Sequence, residues 1–254
     1  MGITTNICTV LENSQIASGI YNLTVKTHQS ADAKPGQFVN IYCEGKTLRR
    51  PISICEIDKN LQTLRFVYQV KGEGTKWLSR VQAGQSLDIL GPLGHGFNVS
   101  KARKVVFVGG GIGAPPLLET AKQCNFIPDA ILGFKSKDFA ILIDDFKKYC
   151  ENVQVSTDDG SLGYHGLVTE LLKERLQSDC DLVCACGPKP MLKAVAKIAE
   201  ERGVECQVSL EERMGCGLGA CLVCVCKVKS GEGGFRYAQV CRYGPVINSK
   251  EVVW

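Results

Sequence analysis

Four cysteines toward the C-terminal end place the tightest limit on what this chain can fold into. Cys216, Cys221 and Cys224 are spaced C-x4-C-x2-C, and Cys241 follows after sixteen intervening residues. Four thiolates in that order suit a plant-type [2Fe–2S] cluster, in which they hold two irons. The loop reads Met214-Gly215-Cys216-Gly217-Leu218-Gly219-Ala220-Cys221-Leu222-Val223-Cys224. A loop wrapped round a cluster must turn several backbone N–H groups toward sulfur, and Gly217 and Gly219 permit the positive φ this needs. Residues 225–228 and 235–240 read as two strands around Ser230-Gly231-Glu232-Gly233-Gly234, so a hairpin is expected to carry Cys241 back beside the other three.

Two other readings of the thiols stand beside that one. A structural zinc site also takes four ligands, but its usual signature is two close pairs, and only one pair is close here. Thiols can also be inert packing groups. That reading is given to Cys8, Cys43, Cys55, Cys124, Cys150, Cys180, Cys184, Cys186 and Cys206 among the fourteen cysteines. Cys226 is left out of the ligand set, because a strand there is expected to point it away from the ligand face.

The chain has 254 residues, room for two modest domains and an appendage. Its hydrophobic content of 44% and charged content of 22% are those of a soluble globular protein. A dispersed net charge of +4 gives no case for nucleic acid. No stretch approaches the length of a membrane span, and Met1 to Asn6 show no basic segment leading into an apolar run. Abundant cysteine without an export signal predicts a reducing compartment, the cytoplasm, and argues against disulfides.

Residues 1–100 read as short strands at 5–12, 20–27, 37–42, 51–56, 63–70 and 86–90, separated by turns such as Ala33-Lys34-Pro35-Gly36 and Gly91-Pro92-Leu93-Gly94. Regular spacing of this kind predicts a closed antiparallel barrel, with one helix over 75–81. From Lys101 the pattern changes. Apolar strands at 104–108, 130–134, 153–156 and 182–185 alternate with helices at 116–123, 166–176 and 190–202, which predicts a parallel sheet covered on both faces over 101–205. Residues 206–254 form a third unit too small to bury a core of its own, so its metal cluster is expected to stand in for one.

Gly109-Gly110-Gly111-Ile112-Gly113 joins the first strand of the second unit to a helix that opens on Pro115 and Pro116. Glycines there let backbone approach a pyrophosphate, and the helix N-terminus supplies donors and positive potential. A tight structural turn is the plain alternative. The next strand ends Gly133-Phe134-Lys135-Ser136-Lys137 with no acidic residue for a ribose hydroxyl, so NAD and NADP are not distinguished. Cys186, Gly187 and Pro188 lie at another carboxyl strand end, where ligands bind in open sheets. Thr157-Asp158-Asp159-Gly160-Ser161 is either a further ligand loop or an Asx-rich turn.

In the barrel, Arg49-Arg50-Pro51-Ile52-Ser53 admits two readings, a solvated face or a flavin site. In the second, Arg50 pairs with a pyrophosphate and Ser53 donates toward a flavin ring. Gly72-Glu73-Gly74-Thr75 before a helix is a second candidate phosphate cradle. His28, His95 and His165 have no metal or triad spacing and read as loop or surface residues.

Taken in order, the barrel with Arg50-Pro51-Ile52-Ser53, the Gly109 to Gly113 turn, Cys186-Gly187-Pro188 and the C-terminal cysteines resemble the ferredoxin–NADP reductase superfamily. Within it, the chain resembles over essentially its whole length the electron-transfer subunits of NAD-dependent dihydroorotate dehydrogenase. The most specific stretches are residues 209–224 and Cys241-Arg242-Tyr243-Gly244-Pro245-Val246. The resemblance implies FAD on the barrel, contacted by Arg50, Pro51, Ile52, Ser53, Val67, Tyr68, Gln69, Gly74 and Thr75. It implies NAD across Gly109, Gly110, Gly111, Ile112, Gly113, Cys186, Gly187 and Pro188, and a [2Fe–2S] cluster on Cys216, Cys221, Cys224 and Cys241. The superfamily often stacks an aromatic residue on the flavin two positions after the arginine; here Ile52 stands there, and Tyr68 is expected to contribute elsewhere.

The implied function is passage of electrons from a dihydroorotate-oxidising FMN subunit through cluster and FAD to NAD⁺ in pyrimidine biosynthesis, in a heterotetramer of two of each subunit. No general base or nucleophile is expected in this chain. The alternatives are a related reductase subunit of the ferredoxin–NADP oxidoreductase or sulfide dehydrogenase type, in which the first cluster ligand is typically aspartate, or the NAD-linked subunit of anaerobic sulfite reductase. From another class comes a non-catalytic zinc-stabilised flavin-binding module.

Overall fold

Short strands with one apolar face can hide it only by stacking or closing, and the first six close. The computed structural model describes residues 5–231 and 233–254. Strands β1 (Thr5–Ala17), β2 (Ile20–Lys26), β3 (Phe38–Ile41), β4 (Arg50–Asp58), β5 (Thr63–Gln69) and β6 (Ser86–Leu93) form an antiparallel barrel in the order β1-β2-β5-β4-β3-β6. Residues at period two, including Leu23, Val25, Val39, Ile41, Leu64, Phe66, Leu87 and Ile89, fill its interior. β1 runs on to Ala17, beyond the expected residue 12, because irregular pairing with β2 lets the strand bend without ending. Helix α1 (Glu73–Leu78) buries Leu78 in the barrel core. Asn13 of β1 donates through Nδ2 to the carbonyls of Leu78 and Val81, both at 2.8 Å, which satisfies acceptors that the helix end leaves orphaned.

The second unit alternates as its pattern requires. Its elements are β7 (Val105–Gly110), α2 (Pro115–Lys122), β8 (Asp129–Phe134), α3 (Ile143–Phe146), β9 (Val153–Thr157), β10 (Tyr164–His165), α4 (Val168–Arg175), β11 (Leu182–Cys186), α5 (Lys189–Glu201) and β12 (Glu205–Ser209). Along β7, Val105 and Phe107 pack with Leu117, Leu118 and Phe146, from α2 and α3. Val106 and Val108 pack with Leu171, Leu192 and Val195, from α4 and α5. The sheet is therefore apolar on both faces, as a covered parallel sheet must be.

After β12 come β13 (Val225–Lys229), β14 (Phe235–Gln239), α6 (Val240–Tyr243) and β15 (Val246–Asn248). β13 and β14 form the expected hairpin, with Val225 opposite Gln239. β15 joins the sheet antiparallel to β12, giving the order β10-β9-β8-β7-β11-β12-β15, so the sheet extends past residue 205. Here the structure departs from expectation. Cys224, Val228, Ala238, Val240, Cys241 and Ile247 pack in the same apolar cluster as the α4–α5 face of the sheet, together with Phe38, Leu90 and Leu93 from the barrel. The C-terminal segment borrows a core, and no metal cluster has to replace one. Cys226 is also corrected. Cys226, on β13, is buried in the same cluster as Cys224 and Cys241, and burial raises its thiol.

Polar contacts join barrel and sheet. Glu119 of α2 is buried and accepts from the Ile57 N–H at 2.7 Å and Gln123 Nε2 at 2.6 Å. Arg65 of β5 bridges Glu56 and Asp145. Among the described residues no helix is long and apolar enough to cross a membrane.

Two outcomes are expected. If the segment borrows its core, removing a bound cluster leaves the β15 amides slow to exchange, while residues 216–224 exchange fast; hydrogen exchange read by mass spectrometry checks this. Burial raises the Glu119 carboxyl above its ordinary 4.5, although N–H donors and Lys122 oppose the shift. The folded chain then holds a proton that the unfolded chain releases, so Glu119 adds stability as pH falls from 7 toward 4.5. Urea titrations should show wild type gaining on E119Q over that interval.

Candidate functional site

The barrel's flavin-candidate residues gather where β4 begins. The two adjacent arginines separate in role. Arg49 makes a two-pronged pair with Asp88, Nη1 to Oδ1 at 3.0 Å and Nη2 to Oδ2 at 2.7 Å, and lies over the Tyr42 ring. Arg50 instead turns toward α1: a Cβ at Gly74 would stand 2.0 Å from its Nε. Any side chain at 74 would have to push that guanidinium aside. Thr75 Oγ1 accepts the N–H groups of Lys71 and Gly72, which shapes the turn that presents Gly74. Pro51, Ile52 and Ser53 follow half-buried along β4, opposite Asn40, Val39 and Phe38 of β3.

On β5, Gln69 is half-buried, but Val67 and Tyr68 are not open surface. Val67 packs in the apolar cluster between barrel and sheet. Tyr68 lies inside the barrel, stacked on Tyr21, with its hydroxyl on Asn13 Oδ1 at 3.1 Å. Its ring packs among the residues of the barrel core.

The nucleotide-candidate turns come together at the sheet's switch point. After β7 the chain builds outward through β8, β9 and β10, then returns to place β11 on the other side of β7. Gly109 pairs with Cys186 across that junction. A Cβ at Gly113 would lie 2.3 Å from the Cys186 carbonyl oxygen, so close backbone approach demands glycine there. One at Gly110 would lie 2.5 Å from Met191 Sδ, a side-chain contact. Gly111 has φ +53 with open space around it, and Ile112 beside it is half-buried. Gly187 packs under Met191, while Pro188 is exposed at the start of α5. The loop after β9 closes on itself as an Asx turn, Asp159 Oδ1 accepting from the Ser161 N–H and hydroxyl.

The four thiols meet as two pairs. Cys216 and Cys221 lie within side-chain hydrogen-bonding reach of each other, as do Cys224 and Cys241. The hairpin register achieves the second pairing: the Val240 N–H donates to the Cys224 carbonyl at 2.8 Å, and α6 presents Cys241 one residue on. Backbone N–H groups converge on the sulfurs. Leu218 and Cys221 donate to Cys216 Sγ at 3.3 and 3.4 Å, and Gly219 donates to Cys241 Sγ at 3.2 Å. Gly217 and Gly219 hold φ of +72 and +77 to allow it. Burial would raise the Cys216 thiol, but the N–H groups of Leu218, Cys221 and Ala220 and the Cys221 thiol outweigh it and bring it down to about 6. Cys241 is pushed up to about 12 by burial and by Cys224 beside it.

That arrangement fits a binuclear cluster, since each of two irons takes two thiolates. Among the described residues no three or more His, Cys, Asp or Glu side chains are set around one point for a single ion. The flavin fit rests on the recess that Gly74 leaves for Arg50.

Several residues that build the site carry no sequence signal. Asn40 of β3 touches the cysteine loop, and a Cβ at Gly217 would stand 2.0 Å from its Nδ2. Gly94 packs against Pro245, and the His95 N–H donates to the Gly244 carbonyl at 2.7 Å, pinning the end of α6 to the barrel. Met191 and Glu119 join the list. Each acts through a neighbour distant in sequence, which no local motif records.

Comparison with known proteins agrees with this architecture. The iron-sulfur cluster binding domain of dihydroorotate dehydrogenase B matches residues 211–253. A dihydroorotate dehydrogenase B (NAD⁺) electron transfer subunit from Caldanaerobacter subterraneus is 45% identical over 247 residues, covering 96% of this chain and 97% of that one. Its counterpart from Fusobacterium nucleatum is 45% identical over 259 residues, with the same coverage. The solved structure of an NADH-dependent reduced ferredoxin-NADP oxidoreductase superposes with a TM-score of 0.87 at 31% identity, over 100% of this chain and 92% of that one. With its thiols paired beside a closed barrel and a parallel sheet, this chain belongs to the family of electron transfer subunits of dihydroorotate dehydrogenase B (NAD⁺).

Proposed function

We propose that this chain carries electrons from a dihydroorotate-oxidising partner to NAD⁺, with the barrel (1–100) holding FAD, the sheet unit (101–205) holding NAD and the C-terminal segment (206–254) holding a [2Fe–2S] cluster. The observation that carries the reading is the pairing of three thiols on a loop seated against β3, next to the Arg50 strand, with a fourth on α6. When bound, the cluster supplies one-electron exchange, and FAD converts between single electrons and the pair that a nicotinamide accepts.

The chain's own residues bind and orient. Arg50, with room made by Gly74 and Thr75 shaping the turn, would pair with the FAD pyrophosphate. Pro51, Ile52 and Ser53 would line the ring, with Val67, Tyr68 and Gln69 contributing backbone from β5. Gly109, Gly110, Gly111, Ile112 and Gly113 would pass the NAD phosphates to the N-terminus of α2, opposite Cys186, Gly187 and Pro188. Cys216, Cys221, Cys224 and Cys241 would hold the irons, and the N–H groups of Leu218, Gly219 and Cys221 would spread the negative charge on sulfur.

Leu218, Leu222 and Val223 stand exposed on the thiol loop, Leu222 at 73%, and form an apolar surface for the partner to cover. We take that partner to be the FMN-bearing catalytic subunit, two of each making a heterotetramer in the cytoplasm. A reductase of the ferredoxin–NADP oxidoreductase type is the second reading, favoured by the TM-score of 0.87 but set at 31% identity against 45%.

In an anaerobic mixture of the loaded chain, a dihydroorotate-oxidising subunit from the same source, dihydroorotate and NAD⁺, NADH should form only with both subunits present. Cys221→Ser should reduce the rate at least about 100-fold. No NADH from a fully loaded chain and an active partner would sink the pyrimidine role. Separately, Gly74→Val should displace Arg50 and weaken FAD binding about 10- to 100-fold, the worth of a lost charge-assisted hydrogen bond. Arg50→Ala should do the same. Quenching of flavin fluorescence gives the affinities, and visible absorbance confirms that the cluster is intact.

A further inference from the structure

Asn40 is the place where barrel and thiol loop meet through a polar side chain. It is 1% exposed on β3, with Pro51 of β4 and Leu90 of β6 as its cross-strand neighbours. Val39 and Ile41 on either side face the barrel core, so Asn40 faces outward and is buried by the loop that covers it. Its Nδ2 donates toward the Cys216 carbonyl at 3.5 Å, a long hydrogen bond, and fills the space that a Cβ at Gly217 would occupy. Among the described residues its buried Oδ1 has no hydrogen-bond partner. A buried acceptor left without a hydrogen bond forfeits its hydration and destabilises the fold. A residue chosen for packing alone would be apolar here, so the amide is retained for what its N–H holds.

We propose that Asn40 is a positioning residue for the first cluster thiolate. By holding the Cys216–Gly217 peptide, it sets the direction in which the next N–H groups, those of Leu218 and Cys221, reach Cys216 Sγ. This rests on the cluster reading above, and it places control of the cluster's reduction potential on a strand of the barrel. Loss of the amide N–H slackens the N–H···S bonds, which leaves the charge of the reduced state less compensated and lowers the potential. A carboxylate at this position lowers it further.

The test compares N40L and N40D with wild type in the full chain loaded with FAD and cluster, by EPR-monitored redox titration and by FAD affinity. Both variants should show altered g-values and a lower midpoint, N40D by the equivalent of about tenfold in the reduced-to-oxidised ratio, about 59 mV for a one-electron couple. FAD affinity should stay within about twofold of wild type. Cluster-free N40L should melt no lower than wild type, because it removes the orphaned oxygen. Failure of both folded variants to take up cluster, where wild type does, counts the same way. Unchanged g-values and midpoints in both variants would overturn the proposal, as would a matching loss of FAD affinity. A wild-type chain that takes up no cluster would instead overturn the reading beneath it.

Discussion

One apolar cluster holds the three parts of this molecule in register. It takes Phe38, Leu90 and Leu93 from the barrel, Val106, Val108, Val183 and Ala185 from the sheet, and Cys224, Val228, Val240 and Cys241 from the C-terminal segment. Two of the four candidate cluster ligands are thus members of the core itself. A close-packed interior does not shift by small amounts without cost, so the thiol loop inherits the rigidity of the sheet. That matters for electron transfer, where the redox groups must keep a constant separation.

On that frame, electrostatics is arranged almost wholly by backbone. N–H groups point at Cys216 and Cys241, the turn at Gly109 to Gly113 leads into the start of α2, and a glycine recess receives Arg50. Backbone dipoles hold position without the rotamer entropy that a long side chain loses. Side-chain charges do structural work elsewhere: Arg49 with Asp88, Arg65 with Glu56 and Asp145, and Glu119 on the Ile57 N–H tie strands and units together. The adjacent Arg49 and Arg50 show the division, one neutralised in the barrel wall and the other turned to the recess.

Much of the fold was legible because its elements follow from local pattern. Regularly spaced short strands and turn residues marked the barrel, and alternating strands and helices marked the parallel sheet. What escaped was short or non-local. α3 and β10 are too brief to show periodicity, and β15 is a three-residue strand whose only reason to be one is β12. The place of the Tyr68 ring inside the barrel, with its hydroxyl on Asn13 Oδ1, is likewise a contact between strands that no local pattern records. The borrowed core of the C-terminal segment was invisible for the same reason: its partners lie on the α4–α5 face of the sheet and, more than a hundred residues away, in the barrel.

The sequence by itself determined the chemistry this chain can hold: the spacing of four thiols, the glycines at which the backbone must turn, and the apolar periods that make barrel and sheet. These are local properties, set by covalent spacing and by φ preferences. Only the tertiary structure decided which of those residues meet. It paired Cys216 with Cys221 and Cys224 with Cys241, set Arg50 against Gly74, and laid the thiol loop on Asn40. Such contacts depend on packing between distant segments, and packing is settled by the summed burial of the whole chain, which no single stretch of it contains.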